Sequence, residues 1–261
     1  MARIYPMFSS SDGNCTYIGG SGGGILIDDG VSAKRTATSL GEKGVAPCNI
    51  GAIFVTHEHS DHTKGLKLFA GKNKIPIYAS RGTLDAMLQA GAVTPDMDLR
   101  VIDGTGTEVC GMFVKPFRTP HDARESTGFT VLTPDSKRIA IATDFGAVNE
   151  TIMNAIYGSD LVLIESNHDV GMLMNGPYPY HLKRRILSGV GHLSNESCSK
   201  AAVELLEAGT TRFLLGHLSK DNNYPALALE TTRAAMRLAG AQENLDYILK
   251  IAGAADSSIT L

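Results

Sequence analysis

Tryptophan is absent from the 261 residues, and aromatic side chains make up only 6%. A basic surplus is also missing: 24 Lys and Arg face 27 Asp and Glu, for a net charge of -3. The chain therefore lacks an overall field for polyanions and an extended indole stacking surface, so any anionic substrate needs a local positive site. Cysteine is scarce. Cys15, Cys48, Cys110 and Cys198 lie far apart, with no CxxC pair. That spacing argues against a zinc knuckle, a redox pair and a disulfide framework, and it points to a reducing, cytoplasmic setting. No apolar run approaches the ~18 residues of a membrane span, and "MARIYPMFSSSDGNC" has no signal-peptide core. The expectation is a cytoplasmic protein with no membrane partner. Its oligomeric state is left open.

What is present is ordinary globular material, 43% hydrophobic and 20% charged, with no linker that splits it. One domain over 1–261 is expected. "GGSGGG" (19–24) sits between two strand-like runs and reads as a hairpin turn; a phosphate-cradling loop would need a Lys-Ser/Thr pair opening a helix. Periodicity predicts strands over 25–28, 51–55, 76–78, 99–102, 106–117, 126–133, 138–143, 160–165, 212–215 and 246–250. Helices are predicted over 33–43, 62–72, 81–90, 147–157, 180–187, 195–207 and 224–239. Strands then helices recur in both halves, so two sheets packed between helices is the expected layering, an α/β four-layer sandwich.

Three of the eight histidines crowd into "THEHSDH", directly after the buried strand "AIFV". In extended backbone, residues i and i+2 point the same way, so His57 and His59 can grip one ion. Asp61 and His62 follow and can grip a second. A solvated histidine-rich loop is the bland alternative. Other chemistry-bearing residues also end apolar strands: Asp28 in "GILID", Asp144 in "IAIATD" and His217 in "FLLGH", with His121 in "RTPHDA" between two strands. A carboxylate in such a place is costly unless paired or bound to metal.

These motifs resemble the metallo-β-lactamase superfamily. "SSSDGNCTYI", "THEHSDHTKGL", "TPHDA", "TDFG", "ESNHD", "GHLSNE" and "LGHLSKDNN" are similar to its WalJ/YycJ-type branch. The resemblance implies the αβ/βα sandwich and a pair of divalent ions, Zn²⁺ or Mn²⁺ with Fe possible. It implies that His57, His59 and His121 hold one ion, that Asp61, His62 and His217 hold the other, and that Asp144 bridges them. Asp28 would orient the histidine loop by hydrogen bonds, although Asp29 beside it leaves open which acid faces the site.

Two such ions about 3.5–4 Å apart would share a hydroxide able to attack a phosphodiester. Asp61 and Asp144 cancel only part of their charge, so the pocket would stay positive inside an acidic protein. Asp61 and His192 are the expected catalytic side chains, with His192 in "GHLSNE" giving the leaving oxygen its proton; an ordinary helix-flanking role is the alternative. Candidates for substrate contact are His168, Tyr178, Tyr180, Arg184, Ser219 and Asn222. The two tyrosines could stack on bases, and Arg184 could meet phosphate alongside Lys183 and Arg185. Three consecutive helical residues splay over roughly 200°, so a solvated face is equally open. The resemblance implies an exonuclease acting on DNA ends. The alternative is hydrolysis of a small ester: a lactone, thioester or cyclic phosphodiester.

Overall fold

Apolar side chains alternate in destination along the central strands. Ile25 and Ile27 enter one core and Leu26 another; Ala52 and Phe54 join the first, Ile53 and Val55 the second. In the other half of the chain, Ile139, Ile141, Leu161 and Leu163 point into that same first core, whereas Ala140, Ala142, Val162 and Ile164 enter a third. Strands with both faces buried carry no polar alternation and must be covered on each side. Three cores separate four layers: helices, sheet, sheet, helices.

The computed structural model describes residues 1–20 and 22–261. The first half comprises β1 (Arg3–Ser10), β2 (Gly13–Gly20), β3 (Gly23–Ile27), α1 (Ala33–Glu42), a 3-10 turn (Pro47–Asn49), β4 (Ile50–Phe54), α2 (Ser60–Thr63), α3 (Leu66–Asn73), β5 (Ile77–Ala79), α4 (Arg81–Ala90) and β6 (Leu99–Val101). The second comprises β7 (Thr107–Val109), β8 (Met112–Arg118), β9 (Thr127–Leu132), β10 (Arg138–Ala142), α5 (Glu150–Ile156), β11 (Leu161–Glu165), α6 (Val170–Asn175), α7 (Tyr180–Ile186), α8 (Asn195–Glu207), β12 (Arg212–Gly216), α9 (Pro225–Leu238), β13 (Ile248–Ile251) and β14 (Ile259–Thr260). The sheets run β14-β1-β2-β3-β4-β5-β6 and β13-β12-β11-β10-β9-β8-β7. β3 to β6 are parallel, as are β10 to β13, so helices must return the chain each time and the strand C-termini share one end. This is the four-layer αβ/βα sandwich.

The structure corrects several expected elements. The strand expected over 106–117 is a hairpin, β7–β8, because Cys110 and Gly111 both take positive φ (53° and 72°) and reverse the chain between Val109 and Met112. The helix expected over 62–72 is two pieces. Gly65 interrupts it: its N–H donates to the Asp29 carbonyl at 2.7 Å, and a Cβ there would overlap the Asp29 carboxylate. β1 and β14 were not anticipated. β1 is held by antiparallel pairing to β2, with a register shift between Pro6 and Phe8. The glycine-rich turn joins β2 and β3, which pair as far as Gly20 and Gly23; Ser21 lies outside the described residues. Among the described residues, no helix is long and apolar enough to cross a membrane.

Candidate metal centre

The loops at the C-terminal ends of β3, β4, β10, β11 and β12, with the β8–β9 loop, converge at one edge of the sandwich. Six of the eight histidines meet there. Ring centroids step from His59 to His57 (4.5 Å), His57 to His62 (4.1 Å) and His57 to His121 (4.9 Å). They continue from His62 to His217 (5.8 Å), His217 to His192 (5.2 Å) and His192 to His121 (5.3 Å), closing a ring. Asp28, Asp144 and His217 each adopt positive φ (60°, 62° and 56°). Left-handed backbone costs about 1–2 kcal/mol for a residue with a Cβ, so the surrounding fold imposes it to turn these side chains inward.

Hydrogen bonds fix which nitrogen each ring presents. Nδ1 of His62 lies 2.8 Å from Asp28 Oδ2, and Nδ1 of His217 lies 2.8 Å from Glu165 Oε1; a carboxylate only accepts, so both Nδ1 atoms carry hydrogen. His121 Nδ1 donates to the Gly191 carbonyl at 3.3 Å. The Thr56 hydroxyl donates to Asp28 and therefore accepts from His57 Nδ1 at 3.1 Å. All four rings thus turn Nε2 inward, the nitrogen whose lone pair a bound ion would take. Nε2 of His57, His121 and His217, together with Asp144 Oδ2, is buried without a hydrogen-bond partner. Buried polar atoms seldom go unsatisfied, and imidazole lone pairs beside carboxylate oxygens are what Zn²⁺, Mn²⁺ or Fe would take up. The residues present fit bound cations.

Four overlapping groups have ligand atoms close enough to hold an ion: His57, His59 and His121; His57, His62 and Asp144; Asp61, His62 and His217; and Asp144, Glu165, His192 and His217. Asp61 Oδ2 stands 3.4 Å from His62 Nε2 and 3.5 Å from His217 Nε2. Burial, together with neighbouring imidazoles, pushes His57 well below its ordinary range, so that ring is neutral. His62 and His217 behave oppositely. Burial opposes their charge, but Asp28 and Asp144 raise His62, and Asp144, Asp61 and Glu165 raise His217 to about 10.

Asp28, not Asp29, faces the site. Its carboxylate takes the Thr56 N–H at 2.8 Å as well as His62, whereas Asp29 turns away to the Thr36 hydroxyl on α1. Sequence reasoning missed Glu165. This fully buried acid ends β11 and accepts at Oε1 from both His192 and His217, each at 2.8 Å, and at Oε2 from Phe145 N–H at 3.0 Å. Despite burial, the two histidines hold it below the usual carboxylate range. The signal was available: an acid ending the apolar run "LVLIE" has the pattern that singled out Asp144. Asn14 was also missed; its amide lies 3.0 Å from His62 Nε2 and 3.4 Å from Asp61 Oδ2.

His192 keeps 17% of its side chain exposed above the buried Glu165. His168 is buried with both ring nitrogens unpartnered, and its carbonyl accepts from Asn195 N–H at 2.9 Å. Tyr178 donates to Asp221 at 2.6 Å. Ser219 and Asn222 are buried and bonded to each other through the Asn222 N–H at 3.2 Å, an arrangement that shapes the loop after His217. Tyr180 is exposed, with the Arg184 guanidinium 6.0 Å over its ring, and neither hydrogen-bonds to the histidine cluster. Arg185 instead reaches the rim, paired with Asp122 next to His121.

The sequence matches the family profile described as "Metallo-beta-lactamase superfamily" over residues 11–217. It is 37% identical over 221 residues to "Exodeoxyribonuclease YycJ" of Bacillus anthracis, covering 84% of this chain and 83% of that protein. It is 37% identical over 224 residues to "Exodeoxyribonuclease WalJ" of Streptococcus pneumoniae, covering 84% and 82%. The fold superposes on the crystal structure of unliganded yeast PDE1 with a TM-score of 0.71 at 13% identity, covering 98% of each chain. The matched span carries every histidine of the inward-facing ring, and on these grounds the chain belongs to the metallo-β-lactamase superfamily of metal-dependent hydrolases, with close homology to the WalJ/YycJ-type exonucleases.

Proposed function

We propose that the chain is a dinuclear metal-dependent phosphodiesterase, an exonuclease acting on DNA ends. His57, His59 and His121 would hold one ion, Asp61, His62 and His217 the other, and Asp144 both. Bound there, the ions supply a water acidified toward neutrality and offset charge on the scissile phosphate. Asp61, held between the His62 and His217 rings, is kept ionised by them against the pull of burial, so it could orient that water and its proton. The DNA substrate is inferred from the two exodeoxyribonucleases to which the chain is similar.

The observation that carries the reading is the pairing of His192 with Glu165 beside the ligand groups. Glu165 takes the Nδ1 hydrogen, so the proton that comes and goes is on Nε2. From that atom His192 can protonate the leaving alkoxide as the phosphorus–oxygen bond breaks. Purified, metal-loaded protein should shorten end-labelled DNA, and chelation should abolish this. His192→Ala should retain its metal and lose cleavage by a factor of about 10²–10⁴. Turnover of lactones or thioesters without any phosphodiester cleavage would overturn the proposal.

A further inference from the structure

Two hollows, of 570 and 720 Å³, lie side by side along α1. They share Met7, Phe8, Arg35, Gly253 and Ala254 as walls, so they adjoin and line up as one groove along α1. Its near end is built by Asp12 and Gly13 from the β1–β2 turn and by Ser219 and Lys220 from the loop after His217. Asn14, next to Gly13, touches Asp61 and His62, and the Ser9 hydroxyl in the groove wall accepts the His217 N–H at 2.9 Å. The groove therefore starts beside the Asp61–His62–His217 group. Its far part runs between α1 and residues 253–258, as far as Lys43.

The charge along this path departs from that of the whole chain. Lys34, Arg35, Lys43 and Lys220 line it, against Asp12 and Glu42. Lys220 pairs with Asp12 across the near end. Among the described residues, Lys34, Arg35 and Lys43 form no ion pair; two of them sit over aromatic rings instead. The Arg35 guanidinium is 4.4 Å from the centroid of Phe8, and the Lys43 ammonium is 5.5 Å from that of Tyr5. Tyr224, 52% exposed, adds a third ring near the centre.

We propose that this groove is the track along which a single-stranded polynucleotide runs away from the reaction centre. The inference rests on the nuclease reading and extends it. A single strand offers a phosphate at every nucleotide and unstacked base faces between them. Cations without acidic partners meet the first, and the exposed Tyr224 ring can stack on the second. An acidic peptide would use the cations but leave the exposed Tyr224 and the start at the metal centre unexplained.

Length dependence tests it. With metal-loaded enzyme, kcat and KM are measured for a thymidine dinucleotide and for a 15-nucleotide oligo(dT). The wild type should show a lower KM for the longer strand. In Arg35→Glu/Lys43→Glu, KM for the longer strand should rise about tenfold relative to that for the dinucleotide, the internal standard, whereas Arg35→Lys should keep most of the length effect. Binding of a phosphorothioate oligo(dT), followed by fluorescence anisotropy, should lose about 1.4 from its log–log salt slope in the double variant, since each single-strand phosphate contact contributes about 0.7. Equal KM values for both lengths in the wild type, or an unchanged ratio and slope in the double variant, overturn the track and turn attention to a peptide ligand. If the wild type cleaves neither substrate, the nuclease reading falls, and phosphorothioate binding alone decides the groove.

Discussion

Glu165 Oε1 lies 2.8 Å from Nδ1 of His217 and thereby bares Nε2 of that ring toward Asp61, 3.5 Å away. The same oxygen holds His192. One buried anion thus sets the tautomer of a candidate ligand and of a candidate acid. Glu165→Gln keeps the shape but removes the charge, and it can supply only one acceptor oxygen where the carboxylate serves four donors: His192, His217 and the Phe145 and Leu193 N–H groups. Metal affinity and phosphodiester turnover should each fall about 10–100-fold, read by metal analysis after dialysis and by steady-state rates. Full metal content with full activity would show that Glu165 has no part in either.

The adjacent acids Asp28 and Asp29 should respond differently to the same change. Asp28→Asn replaces the acceptor on His62 Nδ1 and should cost about 10–100-fold in metal affinity. Asp29→Asn should spare the metal and alter the pH dependence of stability. Burial raises the Asp29 carboxyl from 3.8 to about 7, with the Thr36 hydroxyl opposing the shift. An acid whose pKa is raised on folding stabilises the fold at low pH and loses that contribution as pH climbs through the folded value. The wild type should lose stability between about pH 4 and pH 7 from this group, and Asp29→Asn should flatten that stretch of a urea-unfolding series.

Metal loading should release protons. His217 in the metal-free protein is raised to about 10, and His62 is raised as well, so near neutrality both rings hold protons that an ion must displace. Apparent affinity should therefore rise with pH, about tenfold per unit for each proton released. Competition against a chromophoric chelator at pH 6, 7 and 8 measures this, and a flat profile would contradict it.

Gly30 should not tolerate a side chain. Its N–H donates to the Asn14 carbonyl at 2.8 Å, and a Cβ would overlap the Asp61 carbonyl oxygen. Gly30→Ala must push the Asp61–His62 turn outward. Expected are a loss of about 1–3 kcal/mol in thermal unfolding and reduced metal content. Wild-type values for both would mean the loop yields freely.

The buried strands, the α/β layering and the histidine-rich loop were legible in the sequence because each is a local pattern. Runs such as "GILID", "AIFV" and "IAIATD" are apolar on both faces, and such strands must be covered on each side. Asp28, Asp144 and His217 stood out because a polar group ending such a run is costly without a partner. The two-piece helix at 60–73 and the hairpin at Cys110–Gly111 were not legible; Gly65 yields to a contact with Asp29, and the reversal depends on backbone angles rather than composition. Nor could periodicity show that Glu165 serves two rings at once, that Asp28 rather than Asp29 turns inward, or that four imidazoles present the same nitrogen. Those facts depend on which strand ends meet across the two sheets, and sequence spacing carries no record of that meeting.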